Sequence, residues 1–469
     1  MHQPRPHSRL QRHANRLPVL ACLLLVACGG GGGGSSSAPP VDGTPSTPLS
    51  TLTLALPAHG IGPSQLAVIV AAGDATSEAI ATSYQQKRGI PAANIIRVTL
   101  PSTTDSITSA NFATLKANID AQLPAGIQAT LLTWSAPSRV AGPTCSMSIT
   151  SAMAFGYQSG YCSTTGGTTT GSLYFDSESQ APASELANLR PSMMLGRSTL
   201  DTANLLIERG VAADGSAPAG TGWLVRTSDV NRNVRYPDFV PLPALWADTL
   251  TLNYVDNSTG SAANNVISGK TDVLFYFTGL PTVSSLTTNT YRPGAVGDAL
   301  TSSAGTLPTG NGQTPVTAWL DAGLTASYGT VEEPYNITDK FPEASVLIDQ
   351  YWRGATLIEA YWKSVKTPGE GLFVGEPLAR PWPDTPSFTI SGDNYLITSR
   401  AFRPGSRYAL EYRTSSTGSW INLASFTAAS RARVQTFTAP RPPATATQIR
   451  WTGPCATNSA QTCQLAASS

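Results

Sequence analysis

Leu66-Ala67-Val68-Ile69-Val70 is the stretch that decides the fold class. Five apolar residues follow one another at strand length with no polar break, as in a strand buried on both faces. The residues around it supply the covering. Ser77 to Arg88 reads as a helix with Ile80 and Tyr84 four apart, and Gly89-Ile90-Pro91 stops it. Asn94 to Leu100 is a second strand. Phe112, Leu115, Ile119 and Leu123 mark an amphipathic helix, and Ala129 to Trp134 is a third strand. Apolar strands alternating with helices predict an α/β fold, a mostly parallel sheet with helices on both faces.

The same pattern returns further on. Val273-Leu274-Phe275-Tyr276-Phe277 is a buried strand, Thr314 to Ala322 is helical, and Thr325 to Val331 is another strand. Ser345 to Lys366 reads as one long helix, and Leu372-Phe373-Val374 as a short last strand. Between the two regular regions, Pro137 to Pro243 reads as an insertion (residues 137–243). Its Ser/Thr/Gly-rich part, Cys145 to Ser179, looks clipped by a disulfide, Leu205 to Gly210 looks like a helix end, and Gly222 to Arg226 a strand. Right-handed crossovers would place the C-terminal ends of strands 66–70, 95–100, 129–134, 273–277 and 326–331 on one edge. That edge would gather Trp134-Ser135, Thr278-Gly279 and Glu332-Glu333, with Asp298 to Ser303 nearby and His59 towards the opposite edge.

Pro381-Trp382-Pro383 reads as a linker. Beyond it, strands alternate at a spacing near ten residues, from Tyr395 to Trp451, as in a small antiparallel β-sandwich. This part resembles fibronectin-type or immunoglobulin-like modules. The expected organisation is a signal peptide over 1–27, a tether over 28–50, the α/β domain over 51–383 and the sandwich over 384–469.

The first residues carry four arginines, Arg5, Arg9, Arg12 and Arg16, and no acid before an apolar run from Leu17 to Ala27. That run is too short to span a bilayer. Leu25-Val26-Ala27-Cys28, followed by glycine, resembles the lipobox of bacterial lipoproteins. It implies lipid on Cys28, a membrane as partner and, with Gly29 next, the outer membrane, periplasmic or surface-exposed. The Gly/Ser/Pro/Thr stretch from Gly29 to Ser50 cannot bury a core and would act as a tether of roughly 25 Å reach. Without the signal peptide, 26 Lys+Arg stand against 29 Asp+Glu, a net of −3. No electrostatic footprint for nucleic acid follows from that balance.

Cysteine and histidine counts exclude the most chemistry. Cys22 leaves with the signal peptide and Cys28 takes lipid. Cys145, Cys162, Cys455 and Cys463 remain, and their spacings favour the pairs Cys145–Cys162 and Cys455–Cys463 among three connectivities. With no CxxC and no neighbouring histidine, a zinc site is not expected, and no cofactor motif is present. Of four histidines, His2, His7 and His13 belong to the signal peptide, so His59 alone remains. A Ser-His-Asp triad or Cys-His dyad needs an imidazole, so the count argues against both.

Gly269-Lys270-Thr271 has the end of a phosphate loop, but Asn264 stands where its first glycine belongs and a strand follows rather than precedes it. Two stretches near strand ends carry candidate chemistry. One is Gly297-Asp298-Ala299-Leu300-Thr301-Ser302-Ser303, the other Gly329 to Tyr335 with Glu332-Glu333. Asp298, Ser302, Glu332 and Glu333 are the candidate catalytic residues, because paired carboxylates raise one another's pKa and serve acid–base work. Adjacent acids on an extended segment point opposite ways, however. Thr227 to Arg235, with Asp229, Arg232 and Arg235, reads either as an anion site or as a structural Arg/Asp network.

With these residues laid out, the chain resembles a family of uncharacterised exported bacterial proteins found in genomes that carry the exosortase sorting system. The likeness spans about Gly62 to Trp382. It rests on Lys87-Arg88-Gly89-Ile90-Pro91, Ser146 to Ala152, Arg190-Pro191-Ser192-Met193, Tyr328-Gly329-Thr330-Val331 with Glu333-Pro334, Glu359 to Val365, and Gly375-Glu376-Pro377-Leu378-Ala379-Arg380-Pro381. The closing Gly-Glu-Pro-Leu pattern also resembles the caspase-like fold of gingipain-type peptidases. Relatives often carry histidine at the place of Ala299 and cysteine at that of Tyr335, so the resemblance implies a member lacking both halves of such a dyad. The resulting reading is a non-catalytic, lipid-anchored envelope protein that binds or assembles with an envelope protein or glycan. The alternative is a hydrolase using carboxylates and hydroxyls at the sheet edge.

Overall fold

The computed structural model describes residues 60–429, 434–454 and the backbone of 462–467. The signal peptide, Cys28, the tether, His59 and the expected Cys455–Cys463 bridge lie outside the described residues. Before Pro381 the strands are β1 Leu66–Ala71, β2 Ile95–Val98, β3 Ser106–Thr108, β4 Ala129–Leu132, β5 Arg139–Ala141, β6 Ser146–Ser148 and β7 Ser192–Met194. They continue with β8 Thr221–Arg226, β9 Thr251–Asp256, β10 Val273–Thr278, β11 Tyr291–Ala299, β12 Ala326–Thr330 and β13 Gly371–Gly375. β3, β5 and β6 form a small sheet, and the other ten form one large sheet flanked by helices in the order β2-β1-β4-β7-β13-β12-β11-β10-β8-β9.

The apolar runs explain its centre. All six residues of β1 and all six of β10 are buried, as strands covered on both faces must be. The helix Ala75–Arg88 starts where the Asp74 carboxylate accepts from the Ser77 N–H, and it ends at Gly89 in the left-handed conformation.

One junction corrects the expectation of a single direction. Every neighbouring pair in the large sheet is parallel except β12 with β13. The sheet is therefore two parallel halves running in opposite directions, β2-β1-β4-β7-β13 and β12-β11-β10-β8-β9. The strand end at Trp134-Ser135 faces the edge opposite that of Thr278-Gly279 and Glu332-Glu333. The crossover rule binds strands that run parallel, and β13 enters instead as the antiparallel partner of β12.

Two further expectations are corrected. Residues 137–243 are not an insertion, because β7 and β8 belong to the large sheet. Segment 345–366 is two helices, Ala344–Trp352 and Leu357–Ser364. They part at Gly354, whose φ of 102° suits glycine and where a Cβ would meet the Asp384 backbone nitrogen at 2.9 Å. β11 is a sheet strand despite Pro293, Gly294 and Gly297. At Gly297 a Cβ would fall 2.5 Å from the Tyr276 carbonyl, so a small residue is required.

The sequence motifs behind the resemblance form buried knots. Arg88 bonds Glu376, whose Oε1 also accepts from the Tyr84 hydroxyl at 2.6 Å. Glu359 Oε2 accepts from the backbone of Ile61 at 2.9 Å and of Thr356 at 2.8 Å. Cys145 and Cys162 are bridged.

The expected linker is corrected too, because Trp382 is 2% exposed and packs on Phe275, Tyr351 and Trp352 in the α/β core. After Pro383 come β14 Ser387–Ser391, β15 Asn394–Ser399, β16 Arg407–Arg413, β17 Ile421–Thr427, β18 Gln435–Pro440, β19 Gln448–Pro454 and β20 Thr462–Ala467. They form two antiparallel sheets, β14-β15-β18 and β17-β16-β19-β20. Inward residues of both, among them Tyr395, Ile397, Tyr408, Leu410, Phe437 and Trp451, share one core. A buried ionic cluster joins this part to the α/β region. Arg353 bonds both oxygens of Glu178 and the Ala401 carbonyl, and Arg403 bonds Glu178 and Asp176.

Candidate functional site

In a parallel sheet the place for a site is the crevice beyond the strand C-termini where successive crossovers diverge. Each half of this sheet has such a point. In the half that ends at β12 it lies between β8 and β10, because the chain passes from β8 to β9 on one side and then to β10 on the other.

That point is closed. After β8 the loop 227–235 folds back over the strand ends. Thr227 Oγ1 donates to the Gly279 carbonyl at 2.8 Å, and Asn233 Nδ2 donates to the Thr227 carbonyl at 2.7 Å. A Cβ on Gly279 would stand 1.8 Å from the Arg232 carbonyl oxygen, so only glycine lets the loop come this close. Arg235 then inserts into the edge. Its guanidinium donates to the Thr278 carbonyl at 2.6 Å and lies 2.7 Å from Asp298 Oδ1, among the rings of Phe239, Phe277 and Phe341. The stretch 227–235 is thus a structural network around Asp298.

Asp298 is 0% exposed at the end of β11. Burial raises its carboxyl to about 6, against the opposing pull of Arg235. A second buried acid, Glu370, is paired in the same way with Lys340 at 2.8 Å. Both acids are committed to internal partners.

The remaining candidates lie outside this seal and are not brought together with Asp298. Ser302 and Glu333 share an open cleft of about 310 Å³ with Arg232 and Tyr335. Glu332 faces a neighbouring cleft of about 550 Å³ beside Arg139 and accepts from the Ser146 N–H at 2.9 Å. Glu333 accepts from the Tyr335 N–H at 2.9 Å. Ala299 is buried, and Tyr335, with φ 57°, is 47% exposed. Among the described residues there is no histidine, and Cys145 and Cys162 are joined to each other. No group of three or more His, Cys, Asp or Glu able to hold a metal ion occurs among the described residues. No helix among them is long and apolar enough to cross a membrane. Chemically, the edge offers hydrogen bonds and charge pairs around a cleft, with neither imidazole nor free thiol among the described residues.

Sequence reasoning missed the other divergence point, between β1 and β4 at the opposite edge, where a crevice of about 430 Å³ stays open. The signals were Gly73-Asp74 directly after the first apolar run and Thr133-Trp134-Ser135 directly after the third.

No protein-family model matches the chain. No curated protein matches it. A solved structure described as "Structure of Protease" superposes with a TM-score of 0.38 at 11% identity, covering 86% of this chain and 97% of the other. At that score the likeness carries no argument, and the fold class rests on the sheet itself.

Proposed function

We propose that this chain is a lipid-anchored protein of the bacterial envelope, related to the exported family its motifs resemble, and that it binds rather than cleaves. The observation that carries the reading is the sealed edge. The acid at the end of β11, Asp298, is buried against Arg235 where a hydrolase would need an open cavity and an activated nucleophile. The sequence supports the anchoring half of the reading through Cys28 and the Gly/Ser tether.

A peptide-library hydrolysis assay on the purified full-length chain, run beside an envelope pull-down, tests it. The expected result is no cleavage and specific capture of envelope material. One observation favours the hydrolase reading, the cleft shared by Ser302 and Glu333. Cleavage lost in both Ser302→Ala and Glu333→Gln would establish that alternative. Anchoring is tested by palmitate labelling, which Cys28→Ser should abolish.

A further inference from the structure

The open crevice between β1 and β4 has a chemistry of its own. It lies beyond the C-terminal ends of β1, β2, β4 and β7, where a parallel sheet places its ligand. Its volume of about 430 Å³ falls within the roughly 300–1,000 Å³ of small-molecule sites. Seven Ser and Thr residues line it. Ser77 and Thr133 are bonded to each other, and Thr76, Thr99, Thr103, Ser135 and Ser198 add hydroxyls that can both donate and accept.

Charge decides what can enter. In such crevices the start of the first helix commonly holds a phosphate, because free N–H groups and the helix dipole face it. Here the carboxylate of Asp74 stands at that start and takes the Ser77 N–H at 2.7 Å. The one cation of the wall, Arg197, is spent on Asp321. An anion would therefore meet a carboxylate and no unpaired positive charge. A neutral ligand meets no such penalty, and the second oxygen of Asp74 can accept from a hydroxyl.

The rest of the wall agrees. Leu100 gives the crevice a small apolar side, while Trp134, 5% exposed, belongs to the core beneath it.

We infer that this crevice binds a neutral saccharide, one or two hydroxylated rings whose hydroxyls are shared among the threonines, serines and Asp74. The inference rests on the binding reading above and names the ligand class for it.

Calorimetric titration of the full-length chain with tri-N-acetylglucosamine, maltotriose and inorganic phosphate tests it. Wild type should bind at least one trisaccharide and no phosphate. Ser198→Trp, at an exposed position of the mouth, should weaken that binding at least tenfold with the melting temperature unchanged. Asp74→Ser keeps a capping oxygen while removing the charge. It should weaken saccharide binding and allow phosphate to bind. The inference is overturned if neither sugar binds at millimolar concentration, if wild type binds phosphate instead, if Ser198→Trp binds as wild type does, or if Asp74→Ser behaves as wild type with all three probes. Envelope capture that survives Ser198→Trp while no sugar binds would remove this site and leave the binding reading. Peptide cleavage would remove the binding reading itself.

Discussion

The two halves of the sheet share a plan and differ in outcome. In each, the first strand is flanked by the next two, so a crevice forms where their crossovers part. Between β1 and β4 it is open. Between β8 and β10 it is filled by Arg235, paired with Asp298 and ringed by Phe239, Phe277 and Phe341. The difference begins in loop length. β1 ends at Ala71 and its helix begins at Ala75, so three residues make the turn and none can reach back. β8 ends at Arg226 and the next helix starts at Tyr236, which frees nine residues to fold over the strand ends. Topology provides the crevice, and the connecting loop decides whether it is left for a ligand.

The largest test of this contrast removes the seal. Arg235→Met leaves Asp298 buried without its cation, and breaking such a pair costs roughly 3–5 kcal/mol. Urea denaturation should show that loss. A change under 1 kcal/mol would mean that the edge is held shut by something other than the pair.

A glycine exchange sharpens the same comparison. Gly279→Ala drives a Cβ to 1.8 Å from the Arg232 carbonyl, and overpacking of this kind costs about 1–3 kcal/mol. Gly73→Ala at the open edge meets nothing within 4 Å and is opposed only by its φ of +81°, at about 1 kcal/mol. Melting curves of the two variants should therefore differ, with Gly279→Ala the less stable. Equal losses would break the contrast.

A smaller effect is expected at the open edge. Ser77 Oγ accepts from the Ala71 N–H at 2.9 Å and lies 2.6 Å from Thr133 Oγ1, tying the helix start to β1 and β4. Ser77→Ala should cost about 1 kcal/mol in denaturant unfolding, and a larger loss would show that this edge too depends on a buried polar lock.

The sealed edge should also carry a pH signature. Burial raises Asp298 from 3.8 to about 6, so between pH 4 and 6 the folded chain keeps a proton that the unfolded chain has released. Stability from this group is therefore greatest below pH 4, falls as pH rises to about 6, and is level above that. The melting-temperature gap between wild type and Asp298→Asn should change across pH 4–6 and hold constant above pH 7. A gap independent of pH would show that Asp298 is ionised throughout.

The elements were legible where one kind of signal spoke clearly. Continuous apolar runs marked β1 and β10, because a strand covered on both faces has few polar positions to alternate. Gly89 marked the end of the first helix through capping chemistry that acts within a few residues, while its start at Ala75, capped by Asp74, lies two residues before the Ser77 read from sequence. β11 was not assigned from the sequence, since Pro293, Gly294 and Gly297 interrupt its apolar pattern and the tight approach of Tyr276 that requires Gly297 exists only after folding. Of the candidate residues, Ser302 and Glu333 line one cleft, while Asp298, expected in their company, is buried against Arg235.

The sequence by itself determined the α/β class, the change to antiparallel strands after Pro383, the Cys145–Cys162 bridge and the shortage of imidazole, because each depends on local pattern or on counting. The tertiary structure alone decided that β13 lies antiparallel to β12, which turns one edge into two. It also decided that Arg235 reaches the Asp298 carboxylate 63 residues away while Trp134 borders an open crevice. Strand direction and ion pairing between distant segments are settled by which surfaces can be buried together, and no window of sequence contains both partners of that choice.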